Sequence, residues 1–479
     1  MTASTNSRVQ SPSPTVRPNW ILFTVGIATF LSSLNNSIIN TVLPVINSSL
    51  HISLGQSAWV VLIYLLVVSL FLLPLGRLSD LWGRRRIFLL GFLLFAAASL
   101  LSGFANSFGL LVLGRGLLAL AGSMLLSIGP ALITTTFPAN QRGKALGIQA
   151  LMTYLGLTLG PLVGGWLTQW FGWQSIFYST IPVALIGFII GLSTIPRQIP
   201  GQSRSNLDWP STVLYILAMV AIVLMLNSNV LAMNPVLINT VLGLITLVTG
   251  GAFIYRQTHL HDPLIDVRLF LVRNFGFGTL GAIFNYLCLF LAMFLLPLYM
   301  AHNLKLSPSS TGLWLTLMPF FMMISAPIAG AMSDKIGSRI LSTSGMSANV
   351  IGLLCFALIL SAPRSLLWPL LTVGLILTGL GTGLFAAPNN AAIMYAAPAS
   401  KQGMASGTLA TARYVGMMGG ITVGGSLFDT LLTKTLVSNA NSSLAFAHAF
   451  SLVMWVGLAF GVLGIACTLS MTRGAARTS

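Results

Sequence analysis

Carboxylate chemistry has only six possible homes in this sequence: Asp80, Asp208, Asp262, Asp266, Asp334 and Asp429, with no glutamate anywhere. They are scattered singly, whereas acid–base catalysis and metal ligation need converging groups. Cys288, Cys355 and Cys467 each stand inside an apolar run without CxxC spacing, so they read as small core hydrophobes and not as a disulfide framework or a metal site. His51, His259, His261, His302 and His448 fall in loops or at a helix boundary. No Walker loop, HExxH or GxSxG serine motif is present. The sequence therefore does not read as an enzyme, and it calls for no cofactor and no metal.

What remains is polar chemistry placed inside apolar segments. Arg115 lies six residues, about 9 Å of helix, after Gly109, and Arg413 lies ten residues, about 15 Å, after Gly403. A charge that deep in an apolar segment is costly and usually functional. The bland alternative for either arginine is structural, with the guanidinium bonding to free carbonyls. Asn35, Asn36, Asn40, Gln149, Tyr154, Asn285, Tyr286, Asn389 and Asn390 are candidates to line a substrate path, although such residues more often serve as helix-to-helix hydrogen-bonding groups.

The elements that position these groups are membrane helices. Of 479 residues 55% are hydrophobic and 6% charged, with a mean hydropathy of +0.90, against about 25% charged residues in a soluble domain. Fourteen apolar runs long enough to cross a bilayer lie near 20–46, 57–76, 87–106, 109–137, 145–168, 174–195, 210–228, 235–255, 276–300, 310–332, 341–361, 368–392, 403–430 and 448–470. The net charge of +17 is spread over short loops and not gathered in one patch, which points to lipid headgroups and away from nucleic acid. Between these runs, eighteen of the 23 lysines and arginines fall on the side of the two termini and three on the other, leaving Arg115 and Arg413 within helices. That bias places both termini in the cytoplasm. An all-α integral membrane protein is expected, in a plasma membrane such as the bacterial cytoplasmic membrane, and as a monomer.

An internal repeat sets the architecture. The stretch from Gly76 to Gly83, with Asp80 inside it, recurs from Gly330 to Gly337 with Asp334 inside it. Gly147, Gly156, Gly160, Gly164 and Gly165 recur 260 residues later as Gly407, Gly416, Gly420, Gly424 and Gly425, and Pro130 recurs as Pro388. The expected organisation is a polar, disordered tail (1–19), a six-helix half (20–196), a linker with two inserted helices (197–262), a second six-helix half (263–470) and a second tail (471–479). Transporters built from two such halves hold the substrate at the midplane between them and expose it alternately.

Gly76-Arg77-Leu78-Ser79-Asp80-Leu81-Trp82-Gly83-Arg84-Arg85-Arg86 resembles the loop signature between helices 2 and 3 of the major facilitator superfamily. Gly76 and Gly83 are expected to allow a tight turn. The resemblance implies a conformational latch formed by Gly76, Asp80, Gly83 and Arg84, with Asp334 and Gly337 in the repeat. Gly147, Gly156, Gly160, Pro161, Gly164 and Gly165 resemble the antiporter motif of that superfamily's exporters. Glycines four residues apart admit close helix packing, and Pro161 removes a backbone hydrogen bond and bends the helix; a generic packing seam is the alternative. Arg115 resembles the family's helix-4 arginine, which implies a part in proton coupling. With the run Leu34 to Pro44, and weaker matches at Trp173-Gln174-Ser175-Ile176-Phe177 and Pro263-Leu264-Ile265-Asp266, the chain resembles the fourteen-helix drug:proton antiporters. That implies export of amphiphilic small molecules coupled to protons.

Asn35 departs from the pattern, because the group carries an aspartate there that binds protons and cations. With no carboxylate left inside the spans and two arginines within them, a neutral or anionic amphiphile is favoured over a cation. Proton coupling would then use a peripheral group such as Asp80 or Asp429. The alternatives are an anion, metabolite or lipid-like carrier working by exchange and, from a different class, a structural or signalling membrane protein that transports nothing.

Overall fold

The structure is a computed structural model that describes residues 18–196, 208–226, 235–260, 263, 265–398, 401–438 and 442–472, except for a few helix side chains that include those of Asp80 and Asp334. Residues 1–17 and 473–479 of the expected tails, and 197–207, 227–234 and 261–262 of the linker, with Asp262, therefore lie outside the described residues; Pro18 and Asn19, expected in the tail, already belong to the first helix. The described chain forms fourteen α-helices and a short 3-10 turn, Val267–Leu271, with no strand among the described residues. The helices are α1 (Pro18–Leu50), α2 (Leu54–Trp82), α3 (Arg84–Gly103), α4 (Phe108–Thr136), α5 (Ala139–Phe171), α6 (Ser175–Thr194), α7 (Trp209–Leu226), α8 (Pro235–His259), α9 (Arg273–His302), α10 (Pro308–Ile336), α11 (Ser338–Leu358), α12 (Arg364–Ala396), α13 (Gln402–Ser438) and α14 (Ser442–Leu469). Thirteen are long and apolar enough to cross a membrane, and α7 is a shorter apolar helix.

Several helices run past the expected spans, because polar residues at an end leave the hydrocarbon without leaving the helix. This corrects two local readings. Gly76 is not part of a turn: α2 continues through it to Trp82, and the chain turns only at Gly83, whose φ of +94° only glycine adopts without strain. Asp429 does not end its helix, since α13 continues to Ser438. The duplicate turn repeats the geometry closely. Gly337 also has a φ of +94°, and each glycine N–H caps its helix, Gly83 on the Ser79 carbonyl and Gly337 on the Ser333 carbonyl, both at 3.0 Å.

Helices α1–α6 pack on one another, α9–α14 do the same, and the main joints between the halves are α5 against α10 and α2 against α13; α7 pairs with α8 and touches the rest through α2. The inserted pair is held by the Tyr215 hydroxyl on the Ser69 carbonyl at 3.2 Å and by the Asp208–Arg256 ion pair at 2.9 Å. Burial alone would raise the Asp208 carboxyl, but the Ser211 hydroxyl and the Arg256 guanidinium outweigh it and hold the group below the usual carboxylate range.

Glycines decide how closely the helices meet. Gly156, Gly160 and Gly164 of α5 lie against α1, where a Cβ would meet the Phe30 carbonyl oxygen at 2.6 Å, the Ser37 side chain and Ile38. The Ser37 hydroxyl donates across this seam to the Gly156 carbonyl at 3.2 Å. In the repeat, Gly416 and Gly420 of α13 meet the Ile283 and Leu287 carbonyls of α9, and Gly424 meets Leu291. The last glycine of each set turns to the other half: Gly165 touches Pro308 of α10, and Gly425 touches Ala58 of α2. Gly312 of α10 packs on the Pro161 carbonyl in the same joint.

Loop contacts sort into two ends. At the basic end, Arg85 donates to the Leu192 carbonyl, Arg273 to the Ser470 carbonyl and Arg77 to the Pro263 carbonyl. At the opposite end, Trp173 donates to Ser49, Asn303 to the Ser443 carbonyl and the Ser309 N–H to Gln169. The Asp266 carboxyl, between α8 and α9, is held below its ordinary range first by its 2.6 Å hydrogen bond from Lys401, against burial, and then by the Arg268 N–H.

Two outcomes are expected. Gly160→Ala forces a Cβ onto Ser37 and lowers thermal stability by about 1–3 kcal/mol, the usual cost of overpacking; Ser37→Ala restores part of it, as a double-mutant melting series would read. Because the Asp266 pKa is depressed on folding, its contribution is present above the ordinary carboxylate pKa and is lost as pH falls through the folded value. Hydrogen exchange across 265–271 should thus rise on acidification, and Asp266→Asn should raise it already at neutral pH.

Candidate functional site

A cavity of about 750 Å³ lies between the halves, walled by α1, α2, α4 and α5 on one side and by α9, α10, α12 and α13 on the other. Its lining reaches from Tyr64 on α2 to Arg77, thirteen residues and about 20 Å further along that helix, and so to the basic end, where Arg84 and Met404 also line it. Beyond its inner end the halves are in contact at Gly165 with Pro308 and at Ala58 with Gly425. The cavity therefore extends to one end of the bundle, and glycine contacts join the halves at the other.

The candidate residues separate into two groups. Asn36, Gln149, Tyr154, Tyr286, Asn390 and Arg413 line the cavity. Gln149 is held by its Nε2, which donates to the Thr29 hydroxyl at 3.2 Å. Arg413 is half-buried and makes no hydrogen bond or ion pair among the described residues, and it interacts electrostatically with Tyr154 and Tyr414. The remaining candidates lie behind the wall. Asn40 donates to the Asn36 carbonyl at 3.3 Å, Asn285 to the Met346 sulfur at 3.5 Å and Asn389 to the Gly278 carbonyl at 3.1 Å.

Arg115 and Asn35 form a buried brace behind the same wall. The Arg115 Nε donates to the Val60 carbonyl at 3.1 Å, and its Nη1 donates to the Asn35 carbonyl at 3.4 Å and to Asn35 Oδ1. Its guanidinium carbon sits 4.7 Å from the centroid of the Tyr64 ring, an arrangement that stabilises a desolvated cation. The Tyr64 hydroxyl in turn donates to the Ser32 carbonyl at 3.2 Å. Arg115 is fully buried, and its Nη2 has no hydrogen-bond partner among the described residues. One side chain thus ties α4 to α1 and α2, in the manner of the structural alternative.

Of the turn residues, Gly76 lines the cavity mouth and Arg84 donates to the Ala131 carbonyl at 3.5 Å, while the Asp80 and Asp334 side chains lie outside the described residues. Gly147 has nothing within 4 Å of an added Cβ, unlike the four glycines that follow it in the motif.

Other lining groups escaped sequence reasoning. Tyr64 and Tyr414 bring the phenols on the wall to four, and Met293, Met318, Met322 and Met417 with Phe290 supply its apolar surface. A signal existed for one of them: the glycine offset of 260 carries Tyr154 onto Tyr414. Nothing in spacing distinguished these methionines among the nineteen in the chain. Among the described residues, no Asp, Glu or His lines the cavity, and no cluster could hold a metal.

The geometry agrees with comparisons to known proteins. The family model described as Major Facilitator Superfamily matches residues 25–279 and 278–477. The riboflavin transporter RibZ of Clostridioides difficile is 33% identical, covering 96% of this chain and 98% of its own length. The multidrug resistance protein Stp of Mycobacterium tuberculosis is 30% identical, covering 87% of this chain and 76% of its own. The multidrug transporter protein MdtP of Bacillus subtilis is 29% identical, covering 89% and 79%. In fold the chain is similar to a bacterial homologue of the human lysosomal transporter Spinster, with a TM-score of 0.64, 15% identity and coverage of 94% and 96%. It is also similar to a proton-dependent oligopeptide transporter, with a TM-score of 0.66, 15% identity and coverage of 95% and 99%. A fourteen-helix bundle of two glycine-seamed halves around one cavity, matched along nearly its whole length, belongs to the major facilitator superfamily.

Proposed function

We propose that this transporter exports small amphiphilic molecules from the cytoplasm by alternating access, and that it takes neutral or anionic compounds in preference to cations. The observation that carries this reading is the cavity wall, where Arg413 is unpaired, four tyrosines present phenols, and no acidic side chain lines the space among the described residues. A desolvated cation beside a guanidinium is unfavourable, while rings and apolar bodies pack well on phenols and thioethers. The multidrug proteins and the riboflavin transporter among its relatives support a small-molecule substrate. A flat, hydroxyl-rich and uncharged ring system such as riboflavin fits this wall and is the second reading.

In this proposal both termini are cytoplasmic and the cavity faces the cytoplasm. Residues 20–196 and 263–470 rock as two bodies, with α7 and α8 carried in the 197–262 insert. The turn at Gly83, with Asp80 and Arg84, and its repeat at Asp334 and Gly337 form the latch that closes the basic end. The α5 glycines and Pro161 hold the opposite end shut while the cavity faces inward. Proton antiport, in this scheme, runs through a group off the cavity wall, Asp80 or Asp429.

The test is proton movement in liposomes containing the purified protein and an internal pH indicator, with a panel of cationic, neutral and anionic amphiphiles that includes riboflavin. Proton flux evoked by neutral or anionic members supports antiport. Transport without proton flux assigns the driving force elsewhere, and robust ethidium transport by the unaltered protein removes the charge preference. Asn35→Asp places its carboxylate against Arg115 in the brace behind the wall and should leave ethidium efflux as low as in the unaltered protein.

A further inference from the structure

Arg413 places a positive charge on the cavity wall, and no acidic side chain lines the cavity among the described residues. Around Arg413 stand Tyr154 from α5, Tyr286 from α9 and Tyr414 on its own helix. The other charged lining groups are Arg77 and Arg84 at the mouth, which donate to the Pro263 and Ala131 carbonyls. Arg115 lies behind the wall in its own brace. A guanidinium offers five donors, accepts none and keeps its charge at any physiological pH, and phenols add further donors. Such a site favours a ligand rich in acceptors and bearing negative charge. The lining surface of Met293, Met318, Met322 and Phe290 is polarisable and apolar, suited to a flat ring.

We infer that the substrate is an organic anion with a flat apolar body, that Arg413 is its counter-charge in the cavity, and that the membrane potential drives its export. The inference rests on the export reading above and puts the membrane potential in place of its proton antiport. When the cavity faces the cytoplasm, Arg413 sits at the inner potential; when it faces outward, it sits at the outer one. With an anion bound the two charges cancel, and the loaded protein reorients without moving net charge. The empty protein returns with the uncompensated charge of Arg413, in the direction that an inside-negative potential pulls it. One cycle therefore moves one negative charge outward, and 100 mV sustains a gradient of about fiftyfold. No group on the wall has to gain or lose a proton, in keeping with a lining that has no carboxylate or imidazole among its described residues. A cation would instead double the charge on the loaded step.

The experiment uses liposomes holding the full-length protein at equal pH on both sides, with a potassium diffusion potential set by valinomycin. The probes are 1-anilinonaphthalene-8-sulfonate, an aromatic anion without a titratable proton near neutrality, and N-phenyl-1-naphthylamine, the same rings without the sulfonate. The anion should accumulate on the positive side by about tenfold per 60 mV and should not respond to a pH gradient alone. Arg413→Gln should weaken anion binding tenfold or more and move the potential dependence from the empty return to the loaded step, so that anion exchange, insensitive to the potential in the unaltered protein, becomes sensitive to it; the neutral probe should still bind, reporting an intact cavity. Arg413→Lys should retain part of the anion binding and keep exchange insensitive to the potential. Anion flux that follows the pH gradient and ignores the potential overturns the inference, as does an Arg413→Gln protein that binds the anion undiminished. Flux of neutral or cationic probes without the anion overturns the inference alone, whereas no flux of any probe overturns the export reading with it.

Discussion

Backbone-to-backbone contact across α5 and α1, and across α13 and α9, is the constraint on which the rest of this structure depends. Hydrocarbon offers helices no hydrophobic drive to associate, so affinity comes from close van der Waals approach and from hydrogen bonds across the gap. Gly156, Gly160 and Gly164 remove the side chains that would hold α5 away from Phe30, Ser37 and Ile38, and Gly416 and Gly420 do the same for α13. Tyr154 and Tyr414, two residues before the first glycine of each seam and about 160° round the helix from it, then face the cavity, while Gln149, on the seam side, lines it and donates to Thr29 of α1. Gly165 and Gly425, one residue beyond each seam, then meet the other half. Packing within each half and contact between the halves are thus written on the same two helices.

The two intramembrane arginines show how position decides a charge's role. Arg115 is enclosed by a carbonyl from each of two neighbouring helices, the Asn35 amide and the Tyr64 ring. Removing it would leave Asn35 Oδ1 buried without that donor, a penalty usually larger than the net gain from the bond itself. Arg413 has no such enclosure and faces open space. Both arginines were visible in the sequence as costly charges, but depth along a helix says nothing about which face a side chain occupies.

That distinction explains what the sequence disclosed and what it withheld. The helix count, the duplication and the glycine sets were legible because they depend on run length and on exact spacing, which chain order preserves. The break at Gly83 was legible as a turn, yet Gly76 was misplaced into it, since a glycine in a membrane helix and a glycine in a turn look alike without a φ value. Asn36 and Asn390 reach the cavity while their neighbours Asn35 and Asn389 do not; one residue is 100° of helix rotation, finer than a hydropathy pattern resolves. Tyr414 could have been drawn from the repeat through Tyr154. The methionine surface could not, because thioethers serve as general filler throughout the bundle.

The division of labour on α5 and α13 also bears on how such a protein can change over generations. Substitutions at Tyr154, Tyr414, Met417 or their neighbours alter what the cavity welcomes while leaving the glycine face untouched, so substrate range and architecture can drift independently. A lineage carrying this scaffold can explore new chemistries one residue at a time without passing through an unfolded ancestor. The glycine face, by contrast, is close to frozen, because even a single methyl group there meets the backbone or side chain of the neighbouring helix.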